Sequence, residues 1–258
     1  TAVNNGLVNL NVRAYCARGN TLYAGTYGGS TVYKTTNSGA LWTAAGKGIV
    51  SALTYAVAGA GTRIIAAAYD RVYGSTDNGQ NWLRSDSGFT DKSAYVLFPR
   101  GTDLFLGSTG DGVYRSTDNG ISWVRASGGL TGNGLSVWSL ADDGTGLYAG
   151  TLGGVFRSSD NGGVWSAAKN GMTDSLAFAL LATPVFQLAG TQHGVYKSTN
   201  QGANWSLASS GLPLGQVTDL SFVNGTVVVA MASGIYRSTD SGNSWNPASA
   251  GIAPDAGI

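Results

Sequence analysis

The feature that most constrains this chain is a sixfold internal repeat. TTNSGALW (35–42), STDNGQNW (75–82), STDNGISW (116–123), SSDNGGVW (158–165), STNQGANW (198–205) and STDSGNSW (238–245) match one another. Their tryptophans, Trp42, Trp82, Trp123, Trp165, Trp205 and Trp245, lie 40, 41, 42, 40 and 40 residues apart. A fixed period of about 20 to 50 residues marks a solenoid, a propeller or an array. A second echo precedes each copy, clearest as LYAGTYGG (22–29), LYAGTLGG (147–154) and LAGTQHG (188–194), and leads into pairs such as Val113-Tyr114 or Val155-Phe156.

Each unit consists of short runs of β-branched and aromatic residues separated by Gly, Asn, Asp or Ser, the pattern of strands and turns. Over 135–168, LSVWSLA, LYAG, GVFRSS and VWSAA read as four successive strands. Four strands in about 40 residues is the pattern of a propeller blade, whose sheet buries both faces against its neighbours. A linear solenoid needs polar end repeats, and the first and last units here are as apolar as the rest. The expected fold is therefore all-β, a six-bladed propeller of four-stranded antiparallel blades forming one domain over 1–258. TAVNNGL (1–7) resembles the inter-blade segments SAAKNGM (166–172) and SLASSGL (206–212), so the chain is expected to start inside a repeat. WNPASAGI near the end is the same segment again, and strand exchange at the closure is compatible with both; IAPDAGI is equally compatible with a module of a longer surface protein.

Composition narrows the function classes. Fifteen Lys or Arg face fourteen acids for a net charge of +1, which gives no basic surface for nucleic acid. No apolar run reaches the ~18 residues of a membrane span. All fourteen acids are Asp; the absence of Glu disfavours long helices and removes every catalytic scheme that needs a glutamate. Cys16 is the one cysteine, so no intrachain disulfide forms, and in an apolar strand it reads as packing. The first residue is Thr rather than Met, as in a processed protein, and the expected location is extracytoplasmic: secreted, periplasmic or at the cell surface.

The S/T-x-D-x-G-x-x-W pattern resembles the Asp-box, or BNR repeat, of sialidases, sortilin-type receptors, xyloglucan-cleaving hydrolases and photosystem II assembly factors. The resemblance covers all six units and implies a propeller, while the functions in that group range from enzymes to receptors. The residues themselves read as structural. A short Asx side chain accepts backbone N–H groups in a tight turn, Gly supplies positive φ, and the indole packs on the sheet. Asn37 and Asn200 replace the aspartates at Asp77, Asp118, Asp160 and Asp240, so the position does without a carboxylate and is neither a metal ligand nor a catalytic acid. No cofactor or metal is expected.

Because strands alternate direction, the Asp-boxes crowd one end of the blades, and the second-to-third-strand loops with the inter-blade connections form the other. Differences between repeats at that end are where function is expected. The loops there add Tyr27, Tyr69, Asp70, Asp111, Gln192 and His193 to otherwise plain turns. The connections add Asp91-Lys92, Asn133 and Asp174, and the first strands add Arg13, Tyr95 and Trp138, the one tryptophan outside the repeats. Each has a bland reading: turn residues for Asp70, Asp111 and the lone His193, inter-blade packing for Trp138. Arg115, Arg157 and Arg237 recur at one strand position and read as solvated or inter-blade pairing residues.

Sialidase chemistry, with its glutamate partner and arginine signature, is disfavoured here. Xyloglucan-cleaving hydrolases use two aspartates, as inversion allows when the carboxyls lie roughly 6.5–9.5 Å apart, and Asp70 and Asp111 on adjacent blades are the candidate pair. Those enzymes, however, place their cleft between two propellers. The expectation is a non-catalytic, monomeric binding or scaffold propeller. Its partner is a glycan or a protein, with Tyr27, Tyr69, Asp70, Asp111, Trp138, Gln192 and His193 as ligand-binding candidates. An inverting hydrolase and an assembly or spacer module are the alternatives.

Overall fold

The computed structural model describes residues 3–28, 31–90 and 93–250. Thr1, Ala2, Gly29, Ser30, Asp91-Lys92 and 251–258, which include the IAPDAGI ending, lie outside the described residues. The fold is all-β: six four-stranded antiparallel sheets, each with its strands in chain order, form the blades of a six-bladed β-propeller. The chain divides into two compact units, Thr1–Ala126 with blades 1 to 3 and Ser127–Ile258 with blades 4 to 6. Blade 2 is Thr54–Ala60, Arg63–Ala68, Val72–Ser75 and Leu83–Arg84; blade 4 is Val137–Asp142, Leu147–Thr151, Gly154–Ser158 and Ser166–Ala167. The fourth strand of each blade is only two residues long and starts after the tryptophan, so the indole belongs to the turn rather than to the strand.

The second strands explain the unbroken apolar runs. Arg63–Ala68 is buried along nearly its whole length, because blades 1 and 3 cover both its faces, and Asp103–Ser108 is buried as fully. Ile65, Ala67, Val72, Leu104, Leu106, Tyr114 and Trp123 form one core cluster between blades 2 and 3. Leu188, Val195, Val217, Val229 and Trp245 form its counterpart between blades 5 and 6. Each fully buried aliphatic side chain contributes about 1.5–3 kcal/mol.

The repeated turn is held as its sequence predicts. Ser75 Oγ accepts the Gly79 N–H (2.9 Å) and donates to Asp77 Oδ1 (2.8 Å), which accepts the Asn81 N–H (2.9 Å). Asn200 reproduces this network with its amide oxygen, accepting from Ser198 (2.9 Å) and from the Asn204 N–H (2.9 Å). The carboxylate copies pay no penalty for their charge: donors from Asn81 hold Asp77 well below the usual carboxylate range. Sequence reading assigned positive φ to the glycine alone. The residue before it also takes positive φ, 57° at Asn78 and 59° at Asn119, so two successive left-handed residues make the turn.

Each tryptophan then latches onto the segment that follows the preceding blade. Trp82 Nε1 donates to the Ala45 carbonyl (2.5 Å) and its backbone N–H to the Lys47 carbonyl (2.9 Å). Trp123 repeats this with Ser85 and Ser87 (both 2.8 Å). Residues 3–7 serve Trp42 in the same way, through Val3 and Asn5 (both 2.8 Å). The recurring cations also bridge blades: Lys34 reaches the Asn78 carbonyl (2.9 Å), Arg157 reaches Gln201 (3.2 Å) and Lys197 reaches Asn243 (2.9 Å). Arg115 instead pairs with Asp103 of its own blade (2.6 Å).

A tyrosine on most third strands aims its hydroxyl at the variable end. Tyr114 meets Thr90 (2.8 Å) and Asp111 (2.9 Å), and Tyr196 meets Thr173 (2.7 Å). In blade 2 the position of Thr90 and Thr173 is taken by Val50. The buried Tyr73 hydroxyl, with the Val50 backbone beside it and the charges of Asp70, Arg71 and Arg84 nearby, has no side-chain hydrogen-bond partner. Val50→Thr is expected to raise stability by about 1 kcal/mol, the net worth of one hydrogen bond. Urea denaturation checks this, and Val50→Ala, which supplies no hydroxyl, gives no such gain.

Candidate ligand-binding surface

The variable ends owe their character to a repeated backbone irregularity. In each first strand the pairing register skips one residue: Val12 pairs with Thr26 and Ala14 with Gly25, Thr54 with Ala68 and Ala56 with Ala67, and so on through blade 6. The skipped residues are Arg13, Tyr55, Tyr95, Trp138, Phe178 and Thr218. A bulge places its extra residue outside the register of the ladder and re-aims the side chain, so each blade presents one such side chain at the same register. Four of the six are aromatic.

In Thr1–Ala126 these side chains gather into a tyrosine surface. The Tyr55 and Tyr95 rings lie 4.6 Å apart, and Tyr69, from the loop after the second strand of blade 2, lies 6.5 Å from Tyr55. Tyr69 is 56% exposed and Tyr27, at the matching position of blade 1, is 53% exposed. The Tyr69 N–H binds the Leu53 carbonyl (3.0 Å) and the Tyr27 N–H binds Asn11 (3.0 Å), which ties both loops to first strands. Burial pushes the phenols of Tyr55 and Tyr95 up from their ordinary values, so both stay protonated as donors.

Tyr69 also begins a groove of about 380 Å³ lined by Tyr69, Asp70, Arg71, Arg84, Asp86, Phe89 and Thr90. Its charges balance. Arg71 lies 3.7 Å from Asp70 and 3.6 Å from Asp86, and Arg84 holds Asp86 at 3.1 Å. Asp111 stands behind Thr90, accepting from Tyr114 (2.9 Å) and Thr90 (3.3 Å), with Arg125 at 4.0 Å. Of the two candidate carboxylates only Asp70 lines the groove, beside Arg71, while Asp111 is held behind its Thr90 wall.

In Ser127–Ile258 the bulged Trp138 and Phe178 pack edge to face, 5.7 Å apart. His193 and Asp174, 19 residues apart in the chain, meet: the carboxylate accepts both Nδ1 (3.0 Å) and the His193 backbone N–H (3.1 Å). Gln192 adjoins this pair on an exposed loop. Another groove of this unit, about 490 Å³, lies beside the repeated turns between blades 4 and 5 and is crossed by the Arg157–Gln201 bond. It is a seam of the fold rather than part of the variable end.

Sequence reading missed Tyr55, Phe178, Arg71, Arg84, Asp86, Phe89 and Thr90. Tyr55 and Phe178 carried a usable signal, since they occupy the register of Tyr95 and Trp138; the groove walls carried none. Among the described residues no three His, Cys, Asp or Glu side chains group as a metal site requires. Among the described residues no helix is long and apolar enough to cross a membrane. Cys16 is half-buried in the first strand of blade 1, and burial pushes its thiol up.

These features define a β-propeller with an aromatic, charge-balanced end surface. No protein family model matches the chain, and no curated protein does. The fold recurs in solved structures. YCF48 bound to D1 peptide is 16% identical with a TM-score of 0.74, over 94% of this chain and 83% of that one. The GH74 xyloglucanase from Xanthomonas campestris is 18% identical with a TM-score of 0.70, over 96% and 46%. The extracellular domain of BT4673 from B. thetaiotaomicron is 14% identical with a TM-score of 0.54, over 92% and 41%. The chain spans less than half the length of the last two proteins. At these identities the likeness establishes the fold.

Proposed function

We propose that this propeller is a non-catalytic glycan-binding module whose ligand surface is the tyrosine cluster and groove of Thr1–Ala126. The observation that carries the reading is the Tyr55–Tyr95 pair, 4.6 Å apart and extended by the exposed Tyr69. Aromatic faces stack on sugar C–H surfaces, while Asp70, Thr90 and the tyrosine hydroxyls exchange hydrogen bonds with sugar hydroxyls. Balanced charge in the groove suits a neutral ligand. The repeated turns are read as Asp-boxes with a purely structural role. Asp70 faces a cation and Asp111 is hydrogen-bonded to two hydroxyls, which favours binding over hydrolysis. The module is placed outside the cytoplasm, as BT4673's extracellular domain is, with residues 1–258 acting as one monomeric domain. YCF48, bound to a peptide on a similar fold, favours a protein partner as the second reading.

Glycan-array screening followed by calorimetry tests this. Tyr55→Ala and Tyr69→Ala are each expected to weaken the selected glycan at least about tenfold, or about 1.4 kcal/mol. An array without hits alongside a protein captured through the same tyrosines favours the second reading. Polysaccharide hydrolysis abolished by Asp70→Asn or Asp111→Asn overturns the non-catalytic assignment.

A further inference from the structure

The unit Ser127–Ile258 carries a cluster of different chemistry. The Asp174 carboxylate is only 8% exposed and gathers donors from Leu176, Thr191 and His193. Oδ1 accepts the Leu176 N–H (3.1 Å), which anchors the group, and Oδ2 accepts both the His193 backbone N–H (3.1 Å) and Nδ1 (3.0 Å). Burial alone would raise this carboxyl, but donors from Leu176 and His193 outweigh it and hold it below the usual range. A carboxylate can only accept, so Nδ1 carries the proton. In the neutral ring Nε2 is then a lone-pair acceptor on a side chain that is 74% exposed.

The aromatic partner is at hand. Ala177 pairs with Thr191 and Ala179 with Gly190, so the bulged Phe178 stands beside the 191–193 loop. The same register brings Tyr55 within 6.5 Å of Tyr69 in blade 2. Trp138 meets the Phe178 ring edge to face at 5.7 Å.

We propose that Trp138, Phe178, Gln192 and His193 form a second saccharide-binding site, with Asp174 as its positioning residue. The aromatic pair takes the C–H face of a pyranose ring, Nε2 accepts one sugar hydroxyl, and the Gln192 amide donates to or accepts from the next. The site extends the glycan-binding reading to residues that the tyrosine cluster does not share.

His193 is the sole histidine, so imidazole 15N spectra report one residue without ambiguity. Wild-type protein is expected to show the Nδ1–H tautomer, and adding cello-, xylo-, manno- or chitotetraose is expected to move the Nε2 resonance in a saturable way. Asp174→Asn shifts the tautomer and weakens that binding at least tenfold while circular dichroism stays native; Trp138→Ala weakens it at least tenfold. Tyr55→Ala leaves the His193 response in place, so failure of the first site and failure of this one are told apart. A wild-type Nε2–H tautomer, an Nε2 signal unmoved by all four tetrasaccharides, or unchanged affinity in Trp138→Ala overturns the proposal.

Discussion

Replacing Gly88 by Ala is expected to destabilise the protein by about 2–5 kcal/mol. Gly88 has φ +78°, a region that costs an L-residue roughly 1–2 kcal/mol. A Cβ there would lie 2.1 Å from the Trp123 carbonyl oxygen. That carbonyl cannot retreat cheaply, because Trp123 is pinned by its N–H to Ser87 and its indole to Ser85 (both 2.8 Å). Forced overpacking adds roughly 1–3 kcal/mol. Gly101 is the control: φ is +59° with nothing within 4 Å of its virtual Cβ, so Gly101→Ala costs only the backbone term. Urea denaturation of both variants checks the account, and equal losses would sink it. Gly48, Gly129, Gly171 and Gly211 repeat the contact against Trp82, Trp165, Trp205 and Trp245 at 2.2–2.3 Å, so the effect is a property of every latch.

Removal of the Asp143 carboxylate is expected to cost about 3–5 kcal/mol, because several buried neutral donors lose their acceptor at about 1–3 kcal/mol each. Asp143 is buried in blade 4 and accepts from Tyr148 Oη (2.6 Å), Thr145 Oγ1 (2.7 Å) and the Thr145 and Gly146 N–H groups (2.8 and 2.9 Å). Asp143→Ala orphans all four donors. It also loosens Arg157, whose Nε donates to the Tyr148 hydroxyl (3.1 Å). Asp142→Ala, which frees the Gly144 N–H (2.9 Å) at a more exposed position, costs about 1 kcal/mol. Burial alone would raise the Asp143 pKa, but its donors hold it below the usual carboxylate range. The stability it contributes is therefore present above about pH 4, the unfolded value, and lost as pH falls through the lower folded value. Asp143→Ala should flatten that acid limb in pH-dependent denaturation. A variant that kept both the wild-type midpoint and the wild-type acid limb would contradict the assignment.

Neither Asp143 nor the bulges were legible in the chain, whereas the turns were. The eight-residue repeat closes its own network: Ser75, Asp77, Gly79 and Asn81 satisfy one another within seven residues. Such local chemistry reads directly from composition and spacing. Tyr69, Asp70 and Asp111 could be placed at the variable end because strand alternation fixes which turns share an end. The groove beside Tyr69 and Asp70 could not, since Arg71, Arg84, Asp86 and Phe89 become its walls only when blades 2 and 3 pack.

The chain by itself determined the all-β class, the six blades and the hydrogen-bonded form of the repeated turns, because each blade is a local meander whose signals recur within 42 residues. Tertiary structure decided which side chains gather at the variable end. A bulge is a relation between two strands, so only pairing register shows that Arg13, Tyr55, Tyr95, Trp138, Phe178 and Thr218 are the residues the ladders skip. His193 gained its orientation in the same way, from an aspartate 19 residues earlier that only the folded loop brings to its ring.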